Sequence, residues 1–394
     1  MTDENEPEAH EPTVSRRTML AGTGTLGSVG LLGVFGRGDG DSAPADGNET
    51  ASSGNGTRSE ETHDAPEHFD VSVHRGLTYA SRPSGDLKLD LYVPESDAPS
   101  PLVVWIHGGG WLVNTRKSHP NFVDHFVDEG FAMATVDHRL SEIPEGVDPV
   151  ISPSPNNPVP RGVFPDHIVD VKASIRWLRA HGDEFGLDTS AVATWGSSSG
   201  AHLAALAGTL DSIEDVAGDV YPESAVEPTV YPDESGTVQA VVDWYGPTAL
   251  LKMDPQLAGK GFPHDAPNSP ESLLIGGQIT ENEAKVRRAS PITYVDDDTP
   301  PFLLMHGTAD TTVPFEQSQI LFEALAEACG DATLYELHGV GHGFGFEAFT
   351  PALDQTVLGA TCTVPGEGKD SELSLGGPPA SSEVVGEFLA ETLQ

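Results

Sequence analysis

From about residue 68, apolar residues follow two patterns, one typical of strands and one typical of helices, and these patterns alternate along the chain. Residues 69–79 and 87–93 alternate apolar and polar side chains, which predicts two strands that each bury one face. The next apolar segment, residues 102–106, is continuous, as expected of a strand that is covered on both faces. Further short apolar segments predict strands at 131–136, 191–195, 238–244, 302–306 and 333–337. The sheet is therefore expected to begin antiparallel and to become parallel.

Segments with helical spacing separate these strands. Apolar residues recur from Phe122 to Val127 behind a predicted N-cap at Ser118, and the last spaced segment lies between Pro314 and Gly330. This alternation predicts a single α/β domain over residues 68–394, with a mostly parallel central sheet flanked by helices. The segments between core elements are expected to form loop and helix cap insertions, at about 141–165, 211–236 and 247–290.

Residues 1–45 have the pattern of an export signal rather than of a folded element. Arg16 and Arg17 precede an apolar run over residues 19–35 that is rich in glycine and only weakly hydrophobic. This order is typical of a twin-arginine signal, so we expect recognition by the twin-arginine (Tat) export machinery and a secreted, extracellular protein. An AxA-like site at residues 43–45 would allow cleavage, whereas an uncleaved run would leave the protein anchored to the membrane.

Residues 46–67 are predicted to form a disordered polar linker. They contain almost no large apolar side chain, so they cannot offset the entropy lost on ordering. Asn48 and Asn55 begin the two glycosylation acceptor patterns of the chain. Because the linker is rich in threonine, chance explains these two patterns as well as glycosylation of the asparagines does.

The charge balance excludes some classes of partner. The chain has 61 acidic and 20 basic side chains and a formal net charge of −41. Such a surface repels a phosphate backbone, so we expect no nucleic-acid partner. The acid-rich, lysine-poor composition resembles that of halophilic proteins, in which multimolar salt screens the self-repulsion.

The chain contains two cysteines, Cys329 and Cys362, which is too few for a thiolate metal cluster. Two interpretations of this pair are open. The residues are separate buried thiols, or they form a disulfide that holds the tail to the domain in an oxidising exterior.

A nucleophile is predicted at Ser198. The sequence Gly-Ser-Ser-Ser-Gly at residues 196–200 follows a predicted strand and precedes a helical run, which is the context of a GxSxG nucleophile elbow. Glycines two positions either side of the central serine allow a tight turn that projects the serine side chain.

A serine hydroxyl needs a base and a group that orients this base. Asp310 follows the strand predicted at 302–306, and His342 lies in a glycine-rich loop after the last predicted strand. The chain order Ser, Asp, His is that of the elbow-type hydrolases, so Asp310 and His342 are the expected acid and base. Asp243, at the end of an earlier strand, is an alternative acid. His338 and His202 are expected to be structural.

The sequence His-Gly-Gly-Gly-Trp at residues 107–111 ends the strand predicted at 102–106. Residues without side chains let backbone N–H groups face a substrate carbonyl. The expected oxyanion hole consists of the N–H groups of Gly109, Gly110 and Ser199, with His107 in a structural role.

These motifs together resemble the α/β-hydrolase serine esterases with an HGGG oxyanion loop, in particular the acetyl- and feruloyl-esterase-like branch. The resemblance covers roughly residues 70–349 and rests on HGGGW, WGSSSG, HGTAD and GHGF in this order. It implies the α/β-hydrolase fold and a catalytic triad that hydrolyses carboxylic esters through an acyl-enzyme. No cofactor and no metal are implied.

The expected substrates are small or carbohydrate-linked esters. Two other functions stay open at this point. A peptidase or amidase would use the same triad residues, and some proteins of this fold are catalytically silent binding modules.

Overall fold

The computed structural model describes residues 70–217, 220–221, 229–364 and 370–393. The predicted export signal, the predicted linker and the two asparagines of the glycosylation patterns lie outside these residues. None of the helices within the described ranges is long and apolar enough to cross a membrane.

A ten-stranded sheet forms the centre of the described chain, with a separate two-stranded pair beside it. The strands, in chain order, are β1 (Val71–Arg82), β2 (Gly85–Pro94), β3 (Ser100–Ile106), β4 (Ala132–Val136), β5 (Leu140–Ser141), β6 (Arg161–Gly162), β7 (Leu187–Ser197), β8 (Ala240–Trp244), β9 (Phe302–Gly307), β10 (Ala332–Leu337), β11 (Gln355–Val364) and β12 (Asp370–Leu375). The large sheet has the order β1-β2-β4-β3-β7-β8-β9-β10-β11-β12, and β5 pairs with β6.

Every pairing from β4 through β3, β7, β8 and β9 to β10 is parallel, and the pairings at both ends of the sheet are antiparallel. The prediction of an α/β domain with a mostly parallel sheet is therefore confirmed. The carboxyl ends of the parallel strands lie along one edge, which is where this architecture places its ligands.

Helices cover both faces of the sheet. They are α1 (Phe122–Asp128), α2 (Asp166–Ala180), α3 (Gly182–Phe185), α4 (Ser199–Thr209), α5 (Ile213–Ala217), α6 (Met253–Leu257), α7 (Pro270–Ile275), α8 (Glu283–Arg288), α9 (Glu316–Glu327) and α10 (Ser382–Leu393). Short 3₁₀ helices lie at Leu250–Lys252, Ile279–Glu281, Pro291–Tyr294 and Phe346–Ala348.

Alternate side chains of the central strands belong to two apolar clusters, one on each face of the sheet. In β3, Leu102 and Val104 join a cluster with buried residues of α2, α4 and α9. Val103 and Trp105 point to the other face and join buried residues of α1 and α10. Burial on both faces explains why this strand is continuously apolar.

The predicted insertions contain the smaller elements. The two-stranded β5–β6 pair begins one residue before the insertion at 141–165 and otherwise lies within it. α5 lies in the insertion at 211–236, and α6, α7 and α8 lie in that at 247–290.

The predicted start of α1 is wrong. Asn121, not Ser118, precedes the helix, and the Ser118 hydroxyl instead accepts a hydrogen bond from the Thr115 N–H at 3.4 Å. Pro120 accounts for the shift, since a proline disfavours helical backbone at the residue before it, here His119.

The tail holds three elements that the sequence pattern did not predict. β11 continues the sheet beyond β10, β12 pairs with β11, and α10 buries Val385 and Leu389 beneath the sheet. Cys329, just after α9, forms a disulfide with Cys362 of β11, with a Cα–Cα distance of 4.7 Å. Of the two interpretations of the cysteines, the disulfide is confirmed.

Candidate active site

Ser198 lies in a sharp turn between β7 and α4. Its backbone has φ 55° and ψ −124°, which an L-residue rarely adopts. A Cβ on Gly196 would overlap the backbone of Gly200, and a Cβ on Gly200 would overlap the carbonyl oxygen of Ile106. The Ser198 N–H donates to the Trp244 carbonyl at 2.9 Å, so the turn is also held from β8. These constraints hold the Ser198 side chain at the carboxyl end of β7.

The structure brings Ser198, His342 and Asp310 together. His342 Nε2 lies 3.0 Å from Ser198 Oγ, and His342 Nδ1 lies 2.7 Å from Asp310 Oδ2. An ionised carboxylate only accepts hydrogen bonds, so Nδ1 carries the imidazole proton and Nε2 is free to accept from the serine hydroxyl. This is the arrangement in which a histidine can remove the hydroxyl proton.

Two hydrogen bonds from backbone N–H groups link the acid loop to the base loop. The Ala309 N–H donates to the Val340 carbonyl at 2.9 Å, and the Gly339 N–H donates to Thr308 Oγ1 at 3.1 Å. The Asp310 side chain is fully buried, whereas that of His342 is 22% exposed. The base therefore reaches solvent and substrate while its carboxylate partner does not.

Four donors surround the Asp310 carboxylate. The N–H groups of Thr312 and Val313 donate to Oδ1 at 2.8 and 2.9 Å, while His306 Nε2 lies 3.3 Å from Oδ2, the oxygen that His342 contacts. Burial by itself raises the pKa of Asp310, but the hydrogen bonds from His306 and His342 outweigh it and hold the pKa well below its usual range. Asp310 is therefore ionised in the folded protein.

Asp243, the alternative acid, is placed differently. Its Oδ1 accepts a hydrogen bond from the Gly246 N–H at 2.8 Å, and within the described chain its Oδ2 has no hydrogen-bond partner. Burial raises the pKa of Asp243 to about 6. The structure places Asp310, and not Asp243, against His342.

The glycine-rich loop after β3 lies beside the elbow. A Cβ on Gly108 would lie 2.6 Å from the Ser197 carbonyl oxygen and 3.2 Å from the Ser198 Cβ, so the loop lies this close to the elbow because residue 108 has no side chain. Gly109 and Gly110 have φ of 117° and 59°. The backbone N–H groups of Gly109, Gly110 and Ser199 donate no hydrogen bond to any described residue. They remain available for a substrate oxygen.

The other histidines of the motifs have structural contacts. His107 is buried, stacks on His138 at 4.6 Å between ring centroids, and has its pKa lowered to about 3 by burial. His202 Nδ1 accepts from the Trp111 indole at 3.3 Å, and its Nε2 donates to the Ala289 carbonyl at 2.6 Å. His338 Nε2 lies 2.9 Å from Thr356 Oγ1, on β11.

Two residues beside the triad were not predicted from the sequence. His306 contacts Asp310, and it stands four residues before it in the HGTAD motif, so the motif contained this signal. The Tyr245 ring lies 4.9 Å from the His342 ring, and its hydroxyl donates to the Phe344 carbonyl at 3.0 Å. Tyr245 thus supports the loop that carries His342. Among the described residues, no group of three His, Cys, Asp or Glu is arranged to hold a metal ion.

Comparison with known proteins identifies the family to which the sequence is similar. The sequence profile of the BD-FAE family matches residues 89–151 and 156–325. Esterase LipC of Mycobacterium tuberculosis is 32% identical over 251 residues, which are 62% of this chain and 53% of that protein. The chain spans about half the length of the curated relatives it matches.

Solved esterase structures have the same fold. A truncated carbohydrate esterase from gut microbiota superimposes with a TM-score of 0.56 at 29% identity, covering 71% of this chain and 91% of that one. The esterase Est2 of Thermogutta terrifontis has a TM-score of 0.50 at 25% identity, covering 70% of this chain and 84% of that one. The fold is therefore the α/β-hydrolase fold predicted from the motifs.

Proposed function

Since this chain belongs to the BD-FAE family and has the α/β-hydrolase fold, we propose that it is a serine esterase that hydrolyses carboxylic esters through an acyl-enzyme. The observation that carries this proposal is the simultaneous contact of His342 with Ser198 Oγ and with Asp310. A serine hydroxyl with a base in hydrogen-bond reach, itself oriented by an ionised carboxylate, is an activated nucleophile.

The first half-reaction forms the acyl-enzyme. Ser198 Oγ attacks the ester carbonyl carbon while His342 Nε2 takes the hydroxyl proton, and Asp310 stabilises the resulting imidazolium. The N–H groups of Gly109, Gly110 and Ser199 bind the oxyanion. Because these donors belong to the backbone and the fold fixes their positions, they need no reorganisation as the negative charge develops. His342 then gives its proton to the departing alcohol oxygen, and the acyl group stays on Ser198.

The second half-reaction returns the enzyme. A water molecule attacks the acyl carbon, His342 accepts one of its protons, and the same N–H groups bind the second oxyanion. The tetrahedral intermediate collapses to a carboxylic acid, and Ser198 Oγ regains the proton from His342. No step requires a group beyond the chain, the ester and water.

The proposed substrates are small or carbohydrate-linked esters. Relatives of this chain are named esterases, and one structural neighbour is described as a carbohydrate esterase. The half-buried Ser198 and the partly exposed His342 fit a substrate that enters from solvent at the edge of the sheet.

A comparison of matched leaving groups tests the proposal. p-Nitrophenyl acetate and the corresponding acetyl anilide carry the same acyl group, so their turnover by the purified protein separates ester from amide hydrolysis. We expect the ester to be hydrolysed much faster. Preferred cleavage of the anilide would indicate an amidase, and no turnover combined with no labelling by a fluorophosphonate would indicate a silent binding module.

A further inference from the structure

Two apolar side chains from different insertions lie against the oxyanion loop. A Cβ built on Gly110 would lie 2.6 Å from Ile151 Cδ1 and 3.3 Å from Pro270 Cβ. Ile151 belongs to the insertion at 141–165, and Pro270 is the first residue of α7. Both side chains therefore flank the place that a side chain on Gly110 would take, next to the N–H that we assign to the oxyanion hole.

Hydrogen bonds hold these side chains in place. The Val150 N–H, next to Ile151, donates to the Asn268 carbonyl at 3.2 Å, two residues before Pro270. Asn268 Nδ2 in turn donates to the Asp148 carbonyl at 2.8 Å, so the two insertions are bonded to each other in both directions. We call the side chains of Ile151 and Pro270, which both lie against Gly110, the Ile151 wall.

A second set of contacts fixes the Ile151 wall relative to the oxyanion loop. Asn157, in the same insertion as Ile151, donates through Nδ2 to the Asn114 carbonyl at 2.9 Å. Asn114 Nδ2 donates to the Gly108 carbonyl at 3.0 Å. The insertion and the oxyanion loop are therefore held at a defined separation.

The geometry of the proposed reaction decides which part of an ester meets this wall. The departing alcohol oxygen must lie at His342 Nε2, which protonates it, and the carbonyl oxygen must lie at Gly109 and Gly110. His342 follows β10, whereas the oxyanion loop follows β3, on the opposite side of β7 in the sheet. An acyl substituent that extends from the carbonyl carbon away from His342 extends towards the β3 side of the sheet, where Gly110 and Ile151 lie.

We propose that Ile151, backed by Pro270, limits the length of the acyl group, so that the enzyme acts on short-acyl esters such as acetates. The inference rests on the proposed ester hydrolysis. Isoleucine is stiff at χ1 and the proline ring is nearly rigid, so the wall does not adapt easily to a longer chain. Bulky aromatic acyl groups meet the same obstacle.

Acyl-length discrimination in an Ile151→Ala variant tests the inference. The substrates are p-nitrophenyl acetate, butyrate and hexanoate, which share one alcohol. The hexanoate-to-acetate ratio of kcat/KM should rise by about 10-fold or more in the variant, since a pocket distinguishes one methylene by about 10- to 200-fold. Val150→Ala is the matched control, because this neighbouring side chain is 40% exposed, and we expect its ratio to equal that of the wild type.

Three results would overturn the inference in different ways. An unchanged ratio in Ile151→Ala, with acetate turnover retained, would show that Ile151 does not bound the acyl site. Altered discrimination among acetates of increasingly large alcohols, with the acyl ratio constant, would place Ile151 on the alcohol side. Absence of turnover of every ester by the wild type would refute the proposed function itself. Should Ile151→Ala fail to fold by circular dichroism, Ile151→Val removes one methyl group and should raise the butyrate-to-acetate ratio in the same direction.

Discussion

Asp243 and Asp310 are buried carboxylates at the carboxyl ends of adjacent parallel strands, yet their surroundings give them different chemistry. Asp310 receives two backbone N–H groups and two imidazoles, which stabilise its ionised form. Asp243 receives one backbone N–H group, and burial stabilises its protonated form. The number of donors around each carboxylate, rather than its place in the chain, separates the two.

This contrast predicts that one of two isosteric substitutions lowers kcat strongly and that the other leaves it nearly unchanged. Asp310→Asn should lower kcat by about 10³- to 10⁴-fold, because an amide can donate to His342 Nδ1 and favour the wrong imidazole tautomer. Asp243→Asn, the matched control, should keep kcat within about threefold of the wild type, since it does not contact His342. Steady-state kinetics on p-nitrophenyl acetate decides, and a larger loss in Asp243→Asn would reassign the acid.

The raised pKa of Asp243 also predicts that the stability of the fold depends on pH. Its pKa is about 6 in the folded protein, above the value of about 3.9 for an exposed aspartate. Between these values the folded state binds more protons than the unfolded state, so ionisation on raising the pH from 4 to 7 destabilises the fold by up to about 3 kcal/mol. Asp243→Asn lacks this titration.

The measurement is urea unfolding of wild type and Asp243→Asn at pH 4 and pH 7. The free energy of unfolding of the wild type, minus that of the variant, should fall as the pH rises. Subtraction removes the contribution of groups that both proteins share, including Asp310. A difference that does not change with pH would show that folding does not raise the pKa of Asp243.

At the scale of elements, the sequence predicts those strands whose own residues carry the pattern. β3 and β9 are continuous apolar runs because both of their faces are covered, and their bounds agree with the prediction to within two residues. β11 instead buries Val357 and Ala360, three positions apart, and no residue of β12 is fully buried. Neither strand has period-two burial, so the pairing of β11 depends on the edge of β10 and that of β12 on the edge of β11, which local sequence does not show.

The same distinction applies to the site. The elbow, the glycine loop and the order of acid and base are local motifs, and the structure brings these residues together. The approach of Ile151 and Pro270 to Gly110 brings together three segments that are far apart in the chain. This proximity depends on how the insertions fold over the sheet, and no spacing in the sequence indicates it.

The disulfide joins elements that lie far from the triad. Cys329 and Cys362 are 33 residues apart, and they lie near the amino end of β10, whereas His342 follows its carboxyl end. Replacing both cysteines by serine should lower the free energy of unfolding by about 3 to 4 kcal/mol, through the regained freedom of the unfolded chain.

The kcat/KM of this double variant should equal that of the wild type at a temperature where both are folded. Denaturant unfolding and p-nitrophenyl acetate kinetics measure the two quantities, and reduction of the wild type by a thiol gives an independent comparison. Equal stability of the oxidised and reduced proteins would contradict the assigned role, as would a loss of activity in the folded double variant.

At the scale of the whole chain, we propose that the protein is exported in the folded state and that Arg16 and Arg17 direct it to the twin-arginine machinery. Replacing Arg16 and Arg17 by lysine should retain the esterase activity inside the cell, because the twin-arginine signal is lost while the charge is kept. Arg37→Lys, beyond the apolar run, is the matched control and should be exported normally. Activity assays of cells and medium distinguish the outcomes, and normal secretion of the lysine-pair variant would reject this route.

Covalent labelling tests most directly whether Ser198 carries the acyl group. After reaction with a fluorophosphonate, peptide mass spectrometry should find one adduct, on Ser198, in the wild type and in the control variant Ser199→Ala. Ser199→Ala is a suitable control because the Ser199 hydroxyl has no hydrogen-bond partner in the described chain. Ser198→Ala should show no adduct and should lose at least about 10³-fold in turnover while remaining folded. An adduct on another residue, or full turnover by Ser198→Ala, would show that Ser198 is not the nucleophile.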